Sequence, residues 1–263
     1  MDVVSCTNLW IADIERGTRT RLTFDPTRHN SAPVWSHDGN RIIFAKSAPS
    51  WALYDKNSNG VGDERLIYES KTAVTPWSVS PDGGTLVLSE SSPTGTGLDL
   101  MTMALAGGSA LSALIRAPAQ QSFGHFSADG RWLAYTSTES GSPEIYVQSY
   151  PTAGTRYQVS TSGGAQPRWR RDGRELFYRQ VGSGGPVAIM AATVEPAGSG
   201  LRIGIPERLF DIQVLTVPHQ PAIVPYDVAS DGQRFLVARA QGEGTTALEM
   251  PLTVVINWDA GLR

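Results

Sequence analysis

Four histidines are scattered unevenly along this 263-residue chain. His37 sits in WSHDG, a turn-forming stretch. His29 sits in RHNS and His219 in VPHQP, both in connecting stretches. His125 opens the apolar segment HFSADGRWLAYT. Three neutral imidazoles suit Zn²⁺ or another borderline divalent ion and leave an open coordination position for water. An ion held that way lowers the pKa of its water and polarises an ester or phosphoester oxygen. His29, His125 and His219 are therefore the candidate metal ligands, and hydrolysis of activated esters, phosphotriesters or lactones is the chemistry they would support. Against this, His29 lies in a polar loop where a solvated histidine needs no explanation, and His219 lies between prolines.

Other chemistries leave weaker traces. DKNSNGVGDERL, from Asp55 to Leu66, imitates the first half of an EF-hand with Asp55, Asn57, Asn59 and Gly60. Its twelfth position is Leu66, so the bidentate glutamate is missing, and a polar hairpin explains the same residues. No G-x-S-x-G nucleophile elbow and no Walker-type phosphate loop is present. The charges of RWRRDGR, Arg168 to Arg174, read as a solvated turn. The single cysteine, Cys6, can form no internal disulfide and belongs to no Cys-rich metal motif. No catalytic residue can be named.

The composition sets wider limits. Hydrophobic residues make up 40% and charged residues 18%, which is globular rather than disordered. The net charge of −3 offers no basic field for a nucleic-acid backbone. No apolar run approaches the roughly 18 residues of a membrane span, and MDVVSCTNLW lacks the charged and apolar regions of a signal peptide.

What must position any site is a repeat. VWSHDGNRIIFA, SVSPDGGTLVLS, HFSADGRWLAYT, RWRRDGRELFYR and DVASDGQRFLVA align on Asp38, Asp82, Asp129, Asp172 and Asp231, spaced by 44, 47, 43 and 59 residues. An apolar residue stands three before each aspartate: Trp35, Val79, Phe126, Trp169 and Val228. Asp bonds its own backbone in such a turn, and Gly accepts the positive φ a hairpin demands. An apolar strand follows each turn, and two further strands fit between units, for example EIYVQSY with RYQVST. Four strands per 40–50 residues predicts an all-β fold, a β-propeller of four-stranded antiparallel blades. A β-sandwich is the structural alternative, but it has no need to repeat a turn at this period.

The ends are unequal. NLWIADI and RTRLTF read as the outer two strands of a blade, and the last unit ends in LTVVINW. Joining the termini would close the ring and remove its free edges. LTVVINW and NLWIADI then compete for one position, so five or six blades both remain open, as does an edge completed by another chain.

From LWIADIERGTRTRLTFDP to VVINWDAGLR the units resemble the TolB-like, WD-like propeller repeats of bacteria. SADGRWLAYTSTESGSPEIYVQSYP, GGAQPRWRRDGRELFYR and YDVASDGQRFLVA are similar to the C-terminal sensor-like region of bacterial eukaryotic-type serine/threonine kinases. The resemblance implies one propeller domain over 1–263, detached or truncated from a longer protein. It also implies a binding or scaffold role outside the cytoplasmic membrane, with a protein or small-molecule ligand on the channel face. As expressed without an export signal, such a chain would stay cytoplasmic. Hydrolysis by a His-ligated metal is the alternative. Inner strands line the channel of a propeller, so the three histidines could meet at its mouth.

Overall fold

The computed structural model describes residues 7–13, 16–47, 49–92, 97–107, 110–181, 187–212 and 225–238, and the backbone of 252–256. Cys6 and His219 lie outside the described residues. Every described element is a strand. The chain packs as two units, 1–122 and 123–263, each taken by itself below.

The first unit holds three antiparallel sheets. Among the described strands β1 (Trp10–Asp13) pairs only with β2 (Thr18–Arg21). β3 (His29–Trp35), β4 (Arg41–Ser47), β5 (Trp51–Asn57) and β6 (Arg65–Ser70) form a four-stranded meander. β7 (Val74–Val79), β8 (Thr85–Ser91), β9 (Leu98–Ala104) and β10 (Leu111–Ile115) form another. The second unit continues the pattern with β11 (Gln121–Phe126), whose first two residues fall on the other side of the unit boundary, β12 (Trp132–Ser137), β13 (Glu144–Ser149) and β14 (Arg156–Gln158).

A larger sheet follows, and it departs from the simple repeat. β15 (Ala165–Trp169), β16 (Glu175–Arg179) and β17 (Val187–Ala197) pair in order. The outer edge of β17 is then covered by two short strands in tandem. β18 (Gly200–Ile203) pairs with Val194–Ala197, and β19 (Glu207–Ile212) pairs with Val187–Ala191. This extra hairpin accounts for the longest repeat spacing, that between Asp172 and Asp231. Among the described residues the last sheet has three strands, β20 (Tyr226–Val228), β21 (Arg234–Ala238) and β22 (Leu252–Ile256).

The apolar second strands are buried on both faces. In β4, Ile43 and Ala45 pack with Leu86, Leu88 and Met101, while Ile42 and Phe44 pack with Leu22 on the opposite side. In β16, Leu176 and Tyr178 join Trp132, Ile145 and Trp169, while Phe177 turns to Ile189, Tyr226 and Phe235. The Phe177 and Phe235 rings meet edge to face at 5.2 Å, a geometry worth about 0.5–1.5 kcal/mol beyond area burial. Alternation along a strand sends successive side chains to opposite faces. A run of consecutive apolar residues is therefore what a strand clasped between two sheets requires.

The five Asp-Gly turns share one bonding scheme. The aspartate Oδ1 accepts the amide two residues on, from Asn40, Gly84, Arg131, Arg174 and Gln233, at 2.9–3.1 Å. Gly39, Gly83, Gly130, Gly173 and Gly232 all have φ between 69° and 74°. Three turns add a serine two residues before the aspartate. Ser127 Oγ donates to Asp129 at 2.6 Å and accepts the Trp132 amide at 3.0 Å, and Ser36 and Ser80 do the same in their turns. Ser127 is buried, so Ser127→Ala leaves the Trp132 amide without its acceptor. The expected loss is about 1–3 kcal/mol, read by urea denaturation. The more exposed Ser36→Ala should lose less; equal losses would refute the buried-amide explanation.

Candidate functional site

The histidines occupy different settings. His29 is the first residue of β3 rather than part of a loop, and its Nδ1 accepts the Thr7 amide at 3.4 Å. His37 stands in the first Asp-Gly turn beside Asp82, whose carboxyl it helps hold below the usual carboxylate range, after hydrogen bonds from Ser80 and the Gly84 amide. His125 lies in β11 of the second unit. His29 and His125 thus belong to different units, and among the described residues no three His, Cys, Asp or Glu side chains gather as a metal group.

The calcium-like loop is a hairpin. Asp55 is on β5, and both of its oxygens are taken by guanidinium groups. Arg41 contacts it at 2.6 and 2.7 Å, and Arg65 at 2.7 and 3.0 Å. Burial alone would raise the Asp55 pKa; the hydrogen bonds from Arg65 and Arg41 outweigh it and lower it. Asn57 accepts from Arg41 and donates to the Val61 carbonyl, and Asn59 accepts the Val61 amide. The oxygens a cation would need are spent on the fold. This ion-paired group lines a cleft of about 310 Å³ together with His37, Asp38 and Asp82.

A different row of residues emerges from the repeat. Four positions before the aspartates stand Val34 and Ser78 in the first unit, and His125, Arg168 and Asp227 in the second. These last three lie on β11, β15 and β20, the first strands of three successive sheets. The neighbouring position, three before the aspartate, stays apolar throughout: Phe126 and Trp169 are buried in the second unit. The Trp169 indole donates to the His125 carbonyl at 3.0 Å, tying β15 to β11. Arg168 Nε approaches Asp227 Oδ1 at 3.4 Å, linking β15 to β20. The Tyr226 hydroxyl donates to the Gln166 carbonyl at 2.6 Å, a second tie between those strands.

The backbone just before this row is unusual. Ala32, Phe123 and Gln166 all stand six before their aspartates, and all have positive φ, at 49°, 57° and 61°. Register shifts follow between Ser31 and Val34 and between Ala165 and Arg168. A non-glycine residue there is strained, and bulges of this kind re-aim the side chains that follow.

Electrostatics mark the row as well. Burial, and then the positive charge of Arg168, push the His125 pKa down to about 3, so the imidazole is neutral at ordinary pH. Its Nδ1 is buried and bonded to no described residue. Burial pushes the Tyr226 phenol up, with Arg168, Asp227 and Arg179 close enough to act on it. Burial lowers the Arg179 pKa, although a guanidinium remains charged at any ordinary pH. The Nε of Arg179 is buried and unpartnered among the described residues. Sequence reading placed Arg168 in a solvated turn, but its side chain is only 16% exposed and lies on a strand. Arg170 fits the turn reading, held by Asp172 and Glu175. Tyr226 and Arg179 carried no sequence signal, since their neighbourhood arises only when two sheets pack.

His125 should make stability pH-dependent. Its folded pKa lies below the unfolded value near 6.5, so the unfolded chain binds more protons between those limits. Stability from this group is fully present above about pH 6.5 and falls as pH drops toward about 3. Denaturation curves of wild type and His125→Gln should converge as pH falls through that window. Parallel curves would show that His125 is not held neutral.

No protein-family model matches the chain, and no curated protein does. Solved structures do. TolB of Acinetobacter baumannii is similar at 19% identity and a TM-score of 0.71, over 95% of this chain and 57% of that one. This chain thus spans little more than half the length of that protein. An Agrobacterium tumefaciens protein described as a TolB is similar at 17% identity and a TM-score of 0.68, over 94% and 83% of the two chains. An oligogalacturonate lyase in complex with manganese is similar at 14% identity and a TM-score of 0.58, over 97% and 69%. At these identities the likeness is one of fold, and the repeating antiparallel sheets are its blades: the chain is an all-β propeller resembling TolB.

Proposed function

We propose that the chain is a non-catalytic binding propeller that takes a protein or small-molecule ligand on the inner-strand face of its second unit. The observation that carries this reading is the contrast between two adjacent positions of one repeat. Three before the aspartate the residue is always apolar, and in the second unit it serves packing: Phe126 and Trp169 are buried and Val228 packs against Tyr226 and Phe235. Four before, His125, Arg168 and Asp227 differ from one another in charge and hydrogen-bonding type. A scaffold that fixes one position and diversifies its neighbour is suited to recognising something. The resemblance to sensor-like regions favours a working place outside the cytoplasmic membrane, and no described helix is long and apolar enough to cross one. A ligand-observed NMR screen of fragments tests the reading. Hits should be lost in a His125→Ala, Arg168→Ala double variant whose melting temperature is retained. Hits indifferent to that variant would place recognition elsewhere.

A metal-dependent hydrolase is the second reading, with His29, His125 and His219 holding Zn²⁺ or a similar ion. Its support is the state of His125: a neutral imidazole whose Nδ1 is bonded to no described residue is in the form a divalent ion requires. His29 weighs against it: its Nδ1 accepts from Thr7, so in the neutral ring Nε2 carries the proton, and the Thr7 contact must be given up before His29 can ligate. That the similar oligogalacturonate lyase was solved with manganese adds an architectural parallel only. Elemental mass spectrometry on untagged protein, purified without chelators, should then find about one ion per chain, lost in His125→Ala. No metal after reconstitution, or the same content in the variant, would end this reading.

A further inference from the structure

Most guanidinium groups in this protein already have a carboxylate. Arg41 and Arg65 share Asp55, Arg156 holds Glu139, Arg170 holds Glu175 and Arg208 holds Asp211. The cleft around Asp55 is therefore closed to an outside anion by its own ion pairs. Among the described residues of the second unit, Arg131, Arg171, Arg174 and Arg179 have no carboxylate partner, and of these four only Arg179 is not exposed. Arg179 ends β16 opposite Ala165, beside Tyr226, and makes no ion pair with any described residue. Its Nε is buried without an acceptor.

Arg168 is only partly satisfied. Its Nη1 donates to the adjacent Pro167 carbonyl at 2.9 Å. Its contact with Asp227 spans 3.4 Å, and the Asp227 side chain is 70% exposed. A pair so long and so wet contributes little. Both guanidinium groups lie within electrostatic reach of the Tyr226 hydroxyl, and Arg168 also reaches His125. Around Tyr226, two fixed positive charges thus face one solvated carboxylate. A buried donor left unmet is costly, and a guanidinium fork matches a planar or tetrahedral oxyanion in two parallel hydrogen bonds.

Resting on the binding reading above, we propose that this face takes an oxyanion, the carboxylate or phosphate group of a small ligand, between Arg168 and Arg179. His125 borders the same place with a neutral ring. It can hydrogen-bond the ligand there without competing for its charge.

The test is a titration of the full ¹⁵N-labelled chain with succinate, inorganic phosphate, neutral succinamide and cationic putrescine, followed at the His125 ring and the Arg side-chain signals. Saturable shifts with succinate or phosphate are expected, weakened at least about tenfold in Arg168→Gln, which is a loss of about 1.4 kcal/mol. Succinamide and putrescine should leave the signals in place. A response to succinate alone assigns a carboxylate, and one to phosphate alone a phosphate group. Arg179→Met provides a second variant, and Arg168→Gln, at a partly exposed position, keeps the test intact should Arg179→Met not fold. If putrescine or succinamide moves these signals and the anions do not, the oxyanion assignment is wrong while the binding face stands. If no probe moves them and the fragment hits are indifferent to His125 and Arg168, both fall. Equal affinity in Arg168→Gln overturns the proposal.

Discussion

The clasping of each apolar second strand between two sheets is the constraint on which the rest of this protein depends. Leu86, Leu88, Leu133, Leu176 and Phe177 are almost wholly excluded from solvent. No single sheet could do this, since a four-stranded sheet has only one partner face of its own making. Each blade is stable because its neighbours supply the other face. This explains why Phe126 and Trp169, three before their aspartates, are apolar and buried although the rest of the first strand varies. Trp169 shows the rule: it packs with Trp132 and Ile145 of the preceding sheet while its indole bonds the His125 carbonyl there.

Two recurrent places for polar chemistry follow from the same logic. One is the Asp-Gly turn, where each carboxylate is consumed by its own backbone. Asp38, hydrogen-bonded by Ser36 and by the Asn40 amide and side chain, is held down to about 2 and serves the turn. The other is the first strand of three of the sheets, where Ala32, Phe123 or Gln166 has positive φ two residues before Val34, His125 or Arg168. His125 and Arg168 sit there at the margin of the packing, largely but not wholly enclosed.

Much of the fold was legible because the Asp-Gly pair fixes register. Once Asp38, Asp82, Asp129, Asp172 and Asp231 are aligned, the apolar run after each one can be only a doubly buried strand. The tandem β18 and β19 were not legible: strands of four and six residues have little periodicity, and only the longer spacing hinted at an insertion. The candidate site was read in part. His125 stood out as a histidine opening an apolar strand, read there as a candidate metal ligand. Arg168 was misjudged because its neighbours in RWRRDGR do belong to a turn. Arg179 and Tyr226 could not be found, since what brings them together is a contact between strands far apart in sequence. His219 lies outside the described residues.

The strained backbone at Ala32, Phe123 and Gln166 has an evolutionary meaning. β-branched residues are poorly tolerated at positive φ, and in the second unit the apolar residues three positions after Phe123 and Gln166, Phe126 and Trp169, are buried. The position just before those apolar residues is bound by neither rule where it is not itself buried. A lineage could rewrite Val34, Arg168 and Asp227 one at a time, changing what the scaffold recognises at little cost to folding, whereas Ser78 and His125 are tied to the buried interior. The same property makes the three less buried positions the natural ones to randomise in a directed-evolution library built on this chain.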